Sequence, residues 1–194
     1  MKIKQEKDIR KFLDNEFGET KGNDIFSSQE KILNELIKNI QDKSENQRKT
    51  LIETILPQIA LFKAMLKTDL SEDEVYQHMK KYMMDIVATQ KHVSMVKMEK
   101  IPGFYTLYRK IFLRVVKKTD LWESTQKSGK NYFNVTMKKC LWHIACKEND
   151  CHLLCRLFCD VDDVTYGNLK KLGFSRTKTL GYGKDCCDFH FYKK

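Results

Sequence analysis

The apolar residues of this chain change period once, and that change limits the folds open to it. Up to Val116 they recur at helical spacing; beyond the turn-rich TQKSGKN they alternate, with Phe133, Val135 and Met137 on one side and Tyr132, Asn134 and Thr136 on the other. Helix first and strand later, in 194 residues with no fixed-period repeat, points to an α+β fold: a helical N-terminal half packed on a C-terminal antiparallel sheet with short helices. The length suits a single domain over 1–194, with 1–120 as helical scaffold and 121–194 as the α+β portion.

The helical half reads as a series of stripes. Residues from Lys2 to about Asn23 form a charged, peripheral helix that ends near Gly18 or Gly22. Ser27 and Ser28 open an amphipathic helix through Ile32, Leu33, Leu36, Ile37 and Ile40. The widest stripe runs from Leu51 to Leu66, and Pro57 within it must kink the helix or start a new one. Ser71 and Glu74 form a capping box, after which Met79, Tyr82, Met83, Ile86, Val87 and Val93 continue the apolar face. Pro102 introduces the last stripe, Tyr105, Tyr108, Phe112, Val115 and Val116.

Charge and cysteine content narrow the chemistry. Residues 1–100 hold 18 Lys+Arg against 17 Asp+Glu, and the remainder 18 against 9, so the formal charge of +10 belongs almost wholly to the second half. A basic field there concentrates an anionic small molecule. No aromatic-basic run or helix-turn-helix pattern accompanies it, so nucleic acid is not the expected partner. All seven cysteines lie at or after Cys140. With no apolar run long enough to span a bilayer and no apolar segment in MKIKQEKDIRKFLDNE, the expected setting is the cytoplasm, with thiols reduced and no membrane association. A homodimer is compatible with the sequence and not encoded by it.

The chemistry-bearing residues gather at the carboxyl end, in FCDVDD and RTKTLGYGKDCCDF. On a helix starting near Asn149 or Asp150, Cys151, Cys155, Cys159 and Asp162 follow at intervals of four, four and three and share a stripe. A carboxylate one turn from a thiol can orient it, take its proton or bind a substrate amine. Strand-like runs at Phe174 to Leu180 and Cys187 to Tyr192 close the chain. Alternation in the second sends Cys187, Phe189 and Phe191 inward and Asp188 towards a backbone or helix end. In the first it puts Arg176 and Lys178 on one face and Thr177 and Thr179 on the other. Gly181 and Gly183 bracket Tyr182 in a hairpin turn. GxxxxGK[ST], GxGxxG and HExxH are all absent, and Cys140, His143, Cys159 and Cys187 match no common zinc spacing, so neither a metal nor another cofactor is expected.

From about Leu56 onward the chain resembles the L-2-amino-thiazoline-4-carboxylic acid hydrolase family. The resemblance rests on LPQIALFKAMLKTDLSEDEVYQHMKKYM, on NVTMKKCLW leading into Cys140, on Cys159-x-x-Asp162 and on RTKTLGYGKDCCDF. More distantly, the closing Gly-to-Cys-x-Phe layout is similar to small-molecule-binding 4-vinyl reductase domains. The family resemblance implies a cofactor-independent hydrolase that opens a cyclic C–N bond of a small carboxylate-bearing substrate to give a carbamoyl cysteine. It implies catalytic roles for Cys159, Asp162 and Cys187, and substrate binding by Arg176, Thr179, Cys140 and Asp188. The alternative is a module that holds a small molecule, or senses redox state, in the same site without turnover.

Overall fold

The computed structural model describes residues 5–194; the predicted helical start at Lys2, Ile3 and Lys4 lies outside the described residues. The described chain falls into two compact units. One comprises the residues up to Tyr82 with Ala145–Leu154, the other Met83–Ile144 with Cys155–Lys194.

The first unit is helical: α1 (Glu6–Phe17), α2 (Glu19–Lys38), α3 (Glu45–Thr50), α4 (Leu56–Met65) and α5 (Glu72–Lys81). α1 is not peripheral, because Ile9, Phe12 and Leu13 give it a fully buried face, and α2 begins eight residues before the predicted serines. Pro57 starts α4, as its sequence position requires, and the preceding turn, Leu51–Ile55, widens to π-helix. Proline at 57 leaves the Glu53 carbonyl without its helical donor. That carbonyl instead accepts from the Gln5 side-chain amide at 3.1 Å. α4 is apolar on nearly every side and buried from Leu56 to Phe62. Both flanking starts are fixed by reciprocal capping boxes, Ser44 with Gln47 and Ser71 with Glu74.

A second π-helical stretch, Tyr82–Ala88, leads into α6 (Thr89–Met98) and then α7 (Phe104–Lys118). Each extra residue in a wide turn rotates the following face by about 100°. This is why Val93, predicted on the buried stripe, is 45% exposed while Met95 is buried. In α7, Tyr105 and Val116 of the predicted stripe are buried together with Phe104, whereas Val115 faces solvent.

The four-stranded antiparallel sheet has the order β1-β2-β4-β3, with β1 Trp122–Ser128, β2 Tyr132–Cys140, β3 Leu172–Ser175 and β4 Cys187–Lys193. β1 overturns the reading of TQKSGKN as turn throughout: Thr125 to Ser128 are strand, and only Gly129–Asn131 link the pair. β2 and β4 alternate as expected. Phe133 lies opposite Phe191, Val135 opposite Phe189 and Met137 opposite Cys187, all buried. On the reverse face His190 Nδ1 meets Asn134 Oδ1 at 2.6 Å. The buried face carries an aromatic core: Phe133 stacks on Phe191, with Tyr108 and Phe112 of α7, Phe174 of β3 and Tyr166 within ring contact of Phe191. α8 (Leu141–Glu148) follows β2 directly, and Tyr166 ends the next helix, α9 (His152–Tyr166).

Two local expectations are corrected here. α9 begins two residues after Asp150, which takes a left-handed conformation (φ 56°), so Cys151 precedes the helix and its thiol donates to the Asn149 carbonyl. The strand expected from Phe174 to Leu180 stops at Ser175. Beyond it the backbone amides of Thr177 and Lys178 turn to the Asp188 carboxylate at 2.9 and 2.6 Å rather than to a neighbouring strand.

Candidate functional site

Within the second unit, α9 and the loop between β3 and β4 bring most of the singled-out residues together. The loop joins the antiparallel neighbours β3 and β4, as a hairpin does, but is longer than a tight turn. Thr179 caps a 3-10 turn over Leu180–Tyr182, its Oγ1 accepting from Tyr182 N at 3.3 Å, and Gly183 closes the turn in a left-handed conformation (φ 74°). Two side chains tie the turn to α9. Tyr182 Oη donates to the Asp160 carboxylate at 3.0 Å, and Arg156 lies 5.6 Å over the Tyr182 ring.

This anchoring sets the backbone of Gly181 against α9. A Cβ at position 181 would stand 2.8 Å from Cys159 Sγ and 2.8 Å from the Cys155 carbonyl oxygen. Only glycine allows so close an approach. The half-buried Cys159 sulfur is surrounded by donor groups that favour its charged form: the thiols of Cys155 and Cys187, the Thr179 hydroxyl and the Gly181 N–H. These four donors outweigh burial and pull the Cys159 thiol well below its usual range. Cys187, beside that sulfur and buried at the start of β4, is pushed up, while accepting from Leu180 N at 3.3 Å.

Cys140 ends β2 close enough for its charge state to couple to Cys159. Burial raises it to about 11, against the opposing pull of the His143 and Trp142 amides at the start of α8 and of the Trp122 side chain. None of the seven cysteines is in a disulfide. Among the described residues no three His, Cys, Asp or Glu side chains are grouped to hold a metal ion, and no helix is long and apolar enough to cross a membrane.

Asp162 sits one turn beyond Cys159. Desolvation by the surrounding protein pushes it up to about 7, against the pull of Lys91 and Arg176 and with added repulsion from Cys159 and Asp163. Its side chain still keeps 31% of its surface in solvent, so it is not sealed in the interior. Arg176, whose side chain is only 7% exposed, pairs with Asp163 at 2.5 Å and lies 3.8 Å from Asp162 and 3.9 Å from Asp160. Its Nη1 atom is buried without a hydrogen-bond partner.

Asp188 points away from the thiols, on the other face of β4 from Cys187, as alternation requires. It accepts from Thr177 N, Thr177 Oγ1 and Lys178 N. Burial raises its pKa, but these bonds prevail and hold it below the usual carboxylate range. The structure thus gathers Cys159, Cys187, Thr179, Cys140 and Asp162, places Arg176 beside Asp162, and sets Asp188 under the loop. The sequence puts Cys155 on the stripe of Cys159 and Tyr182 in the turn, but assigns no role to either or to Asp160. The spacing of Cys155 to Cys159 carried a signal for the first; no local pattern predicts the Tyr182 to Asp160 contact, because it joins a turn to a helix 22 residues away.

The sequence model of the L-2-amino-thiazoline-4-carboxylic acid hydrolase family matches residues 48–191. No curated protein matches the chain. Among solved structures the chain is similar to the Fe(II) unliganded H-NOX protein from K. algicida, at 12% identity over 97% of this chain and 94% of that one, with a TM-score of 0.29. A point mutant of the same H-NOX protein follows at 11% identity, the same coverage and a TM-score of 0.26. Likeness at that level assigns neither fold nor ligand. The family match spans α4 to β4 and includes every residue of the thiol and carboxylate cluster, and the chain belongs to the L-2-amino-thiazoline-4-carboxylic acid hydrolase family.

Proposed function

We propose that the chain hydrolyses a small carboxylate-bearing ring, a 2-amino-thiazoline-4-carboxylate or a close relative, opening the ring C–N bond to leave a carbamoyl cysteine. One observation carries this reading: on a single face of α9, a sulfur packed against the Gly181 backbone among donor groups stands one turn from a carboxyl with a pKa of about 7. A nucleophile and a proton carrier matched to neutral pH are what such a ring opening needs.

In this mechanism the Cys159 thiolate adds to the carbon between the ring sulfur and nitrogen, in the amidinium form of the substrate. Protonated Asp162 gives its proton to the ring nitrogen, the C–N bond breaks, and the carbon stays attached to both sulfurs. Water then adds to that carbon and passes a proton to the Asp162 carboxylate. Breaking the bond to Cys159 returns the thiolate to the donors of Thr179 and Gly181, and the last proton goes to the released amine. One water is consumed. Arg176 Nη1 is the donor available for the substrate carboxylate. Protonation of Asp162 lowers the negative charge around that guanidinium and favours an anion there. Asp188 works through the loop, by holding Thr177 and Lys178 and so the turn that follows.

The test is incubation of the purified chain with L-2-amino-thiazoline-4-carboxylate and mass spectrometry for a product heavier by one water. Wild type forms it, and Cys159→Ser and Asp162→Asn do not. Ligand-induced thermal stabilisation without product would instead favour a binding module, and full turnover by folded Cys159→Ser would remove that residue from the chemistry.

A further inference from the structure

The sulfurs of Cys187 and Cys159 lie against adjacent residues of the same loop, Leu180 and Gly181. Leu180 N–H donates to Cys187 Sγ at 3.3 Å, and a Cβ on the next residue, Gly181, would lie 2.8 Å from Cys159 Sγ. The Cys187 and Cys159 sulfurs are also close enough that the charge state of each acts on the other. The two belong to different elements, α9 and β4, and differ in access: Cys159 is half-buried and Cys187 is 5% exposed.

Cys155 acts on the Cys159 sulfur as well, but from the same helix at i−4. Side chains at that spacing keep their Cβ atoms about 5–6 Å apart, whereas a disulfide needs about 3.5–4.5 Å. A bond between Cys155 and Cys159 would therefore unwind α9. Cys187 is the first residue of its strand and follows an irregular segment, so it can close the remaining distance without breaking a helix.

We propose that Cys159 and Cys187 form a redox-active dithiol, in which a hydroperoxide oxidises Cys159 and Cys187 resolves it to a reversible disulfide. The Cys159 thiolate attacks the outer oxygen of the hydroperoxide; an S–O bond forms, the O–O bond breaks, and the alcohol or water departs with a proton. The Cys187 thiol then attacks the sulfenic sulfur. The S–S bond forms, the S–O bond breaks, and hydroxide leaves with the Cys187 proton as water. Two electrons pass from the thiols to the hydroperoxide, and a small dithiol returns them. This chemistry does not depend on the hydrolytic reading, since it is read by mass and not by turnover.

The test treats the reduced chain with a small excess of hydrogen peroxide, blocks remaining thiols with N-ethylmaleimide, and maps the peptides. The expected result is loss of two of the seven alkylation sites, a cross-link between residues 159 and 187, and its disappearance with dithiothreitol. Cys187→Ser should stop at a dimedone-reactive sulfenic acid on Cys159, and Cys155→Ser should still form the cross-link. Seven alkylated cysteines after peroxide, a Cys155–Cys159 link, or over-oxidation of Cys159 in wild type as fast as in Cys187→Ser would each overturn the proposal. An active hydrolase with no cross-link would sink this inference alone; a cross-link in a chain without turnover would leave it standing.

Discussion

Gly181 lies so close to Cys159 that a single added methyl group would stand 2.8 Å from the sulfur. The second obstruction is the Cys155 carbonyl, which is helix backbone and cannot swing away. Gly181→Ala must therefore move the loop off α9. We expect a loss of about 1–3 kcal/mol in urea unfolding, as for other overpacked sites, together with loss of turnover.

Asp162 carries a pH signature of its own. An unfolded aspartate titrates near 3.8, whereas this one titrates at about 7, so between those values the folded chain binds more protons than the unfolded one. The contribution of Asp162 to stability is therefore greatest below the unfolded value and is lost as pH rises to about 7. Asp162→Asn, uncharged throughout, should match wild type at the acid end of that window and be the more stable of the two at pH 8. Urea midpoints taken at several pH values check the sign. In wild type, kcat/KM should decline above about pH 7 as the proton donor is lost.

Asp188 has the opposite dependence. Its pKa is depressed, so its stabilisation is present above the ordinary aspartate value and is lost as pH falls through the lower folded value. Asp188→Ala removes three hydrogen bonds from Thr177 and Lys178, two of them to backbone amides. A cost of about 1–2 kcal/mol at neutral pH is expected for charge-assisted bonds at a partly exposed site. Hydrogen exchange of the Thr177 and Lys178 amides should quicken.

Arg176 balances three carboxylates with one nearly buried guanidinium. Removing it in Arg176→Gln leaves them facing one another, at a cost of about 2–3 kcal/mol, below the full range for sealed pairs because Asp163 is half exposed. It should also move the Asp162 titration, and the alkaline limb of kcat/KM, to higher pH. Arg176→Lys should restore little, since one ammonium cannot span three partners.

How much of this was legible in the sequence depends on whether a contact is local. The face of β4 could be read directly, because Cys187, Phe189 and Phe191 alternate with polar residues on a strand buried on one side. β1 could not, since Trp122–Ser128 is an edge strand, mostly exposed, with no apolar alternation to mark it. Residues 176–179 alternate like a strand, yet the Asp188 carboxylate captures the amides that a strand partner would need. Val93 was assigned to the wrong side because nothing in YMMDIVA announces a π-helical turn. At the site, the spacing of Cys159 and Asp162 was visible, whereas convergence on the Gly181 amide depends on a loop anchored through Tyr182 and Asp160.

Both the ring opening and the peroxide chemistry require Cys159 to be a thiolate near neutral pH. Thiolate absorbance at 240 nm, recorded against pH for wild type and Cys159→Ser, tests this directly. The prediction is a difference signal equal to one thiolate that persists below pH 6. A difference that appears only above about pH 8.5, as for an ordinary cysteine, would contradict it.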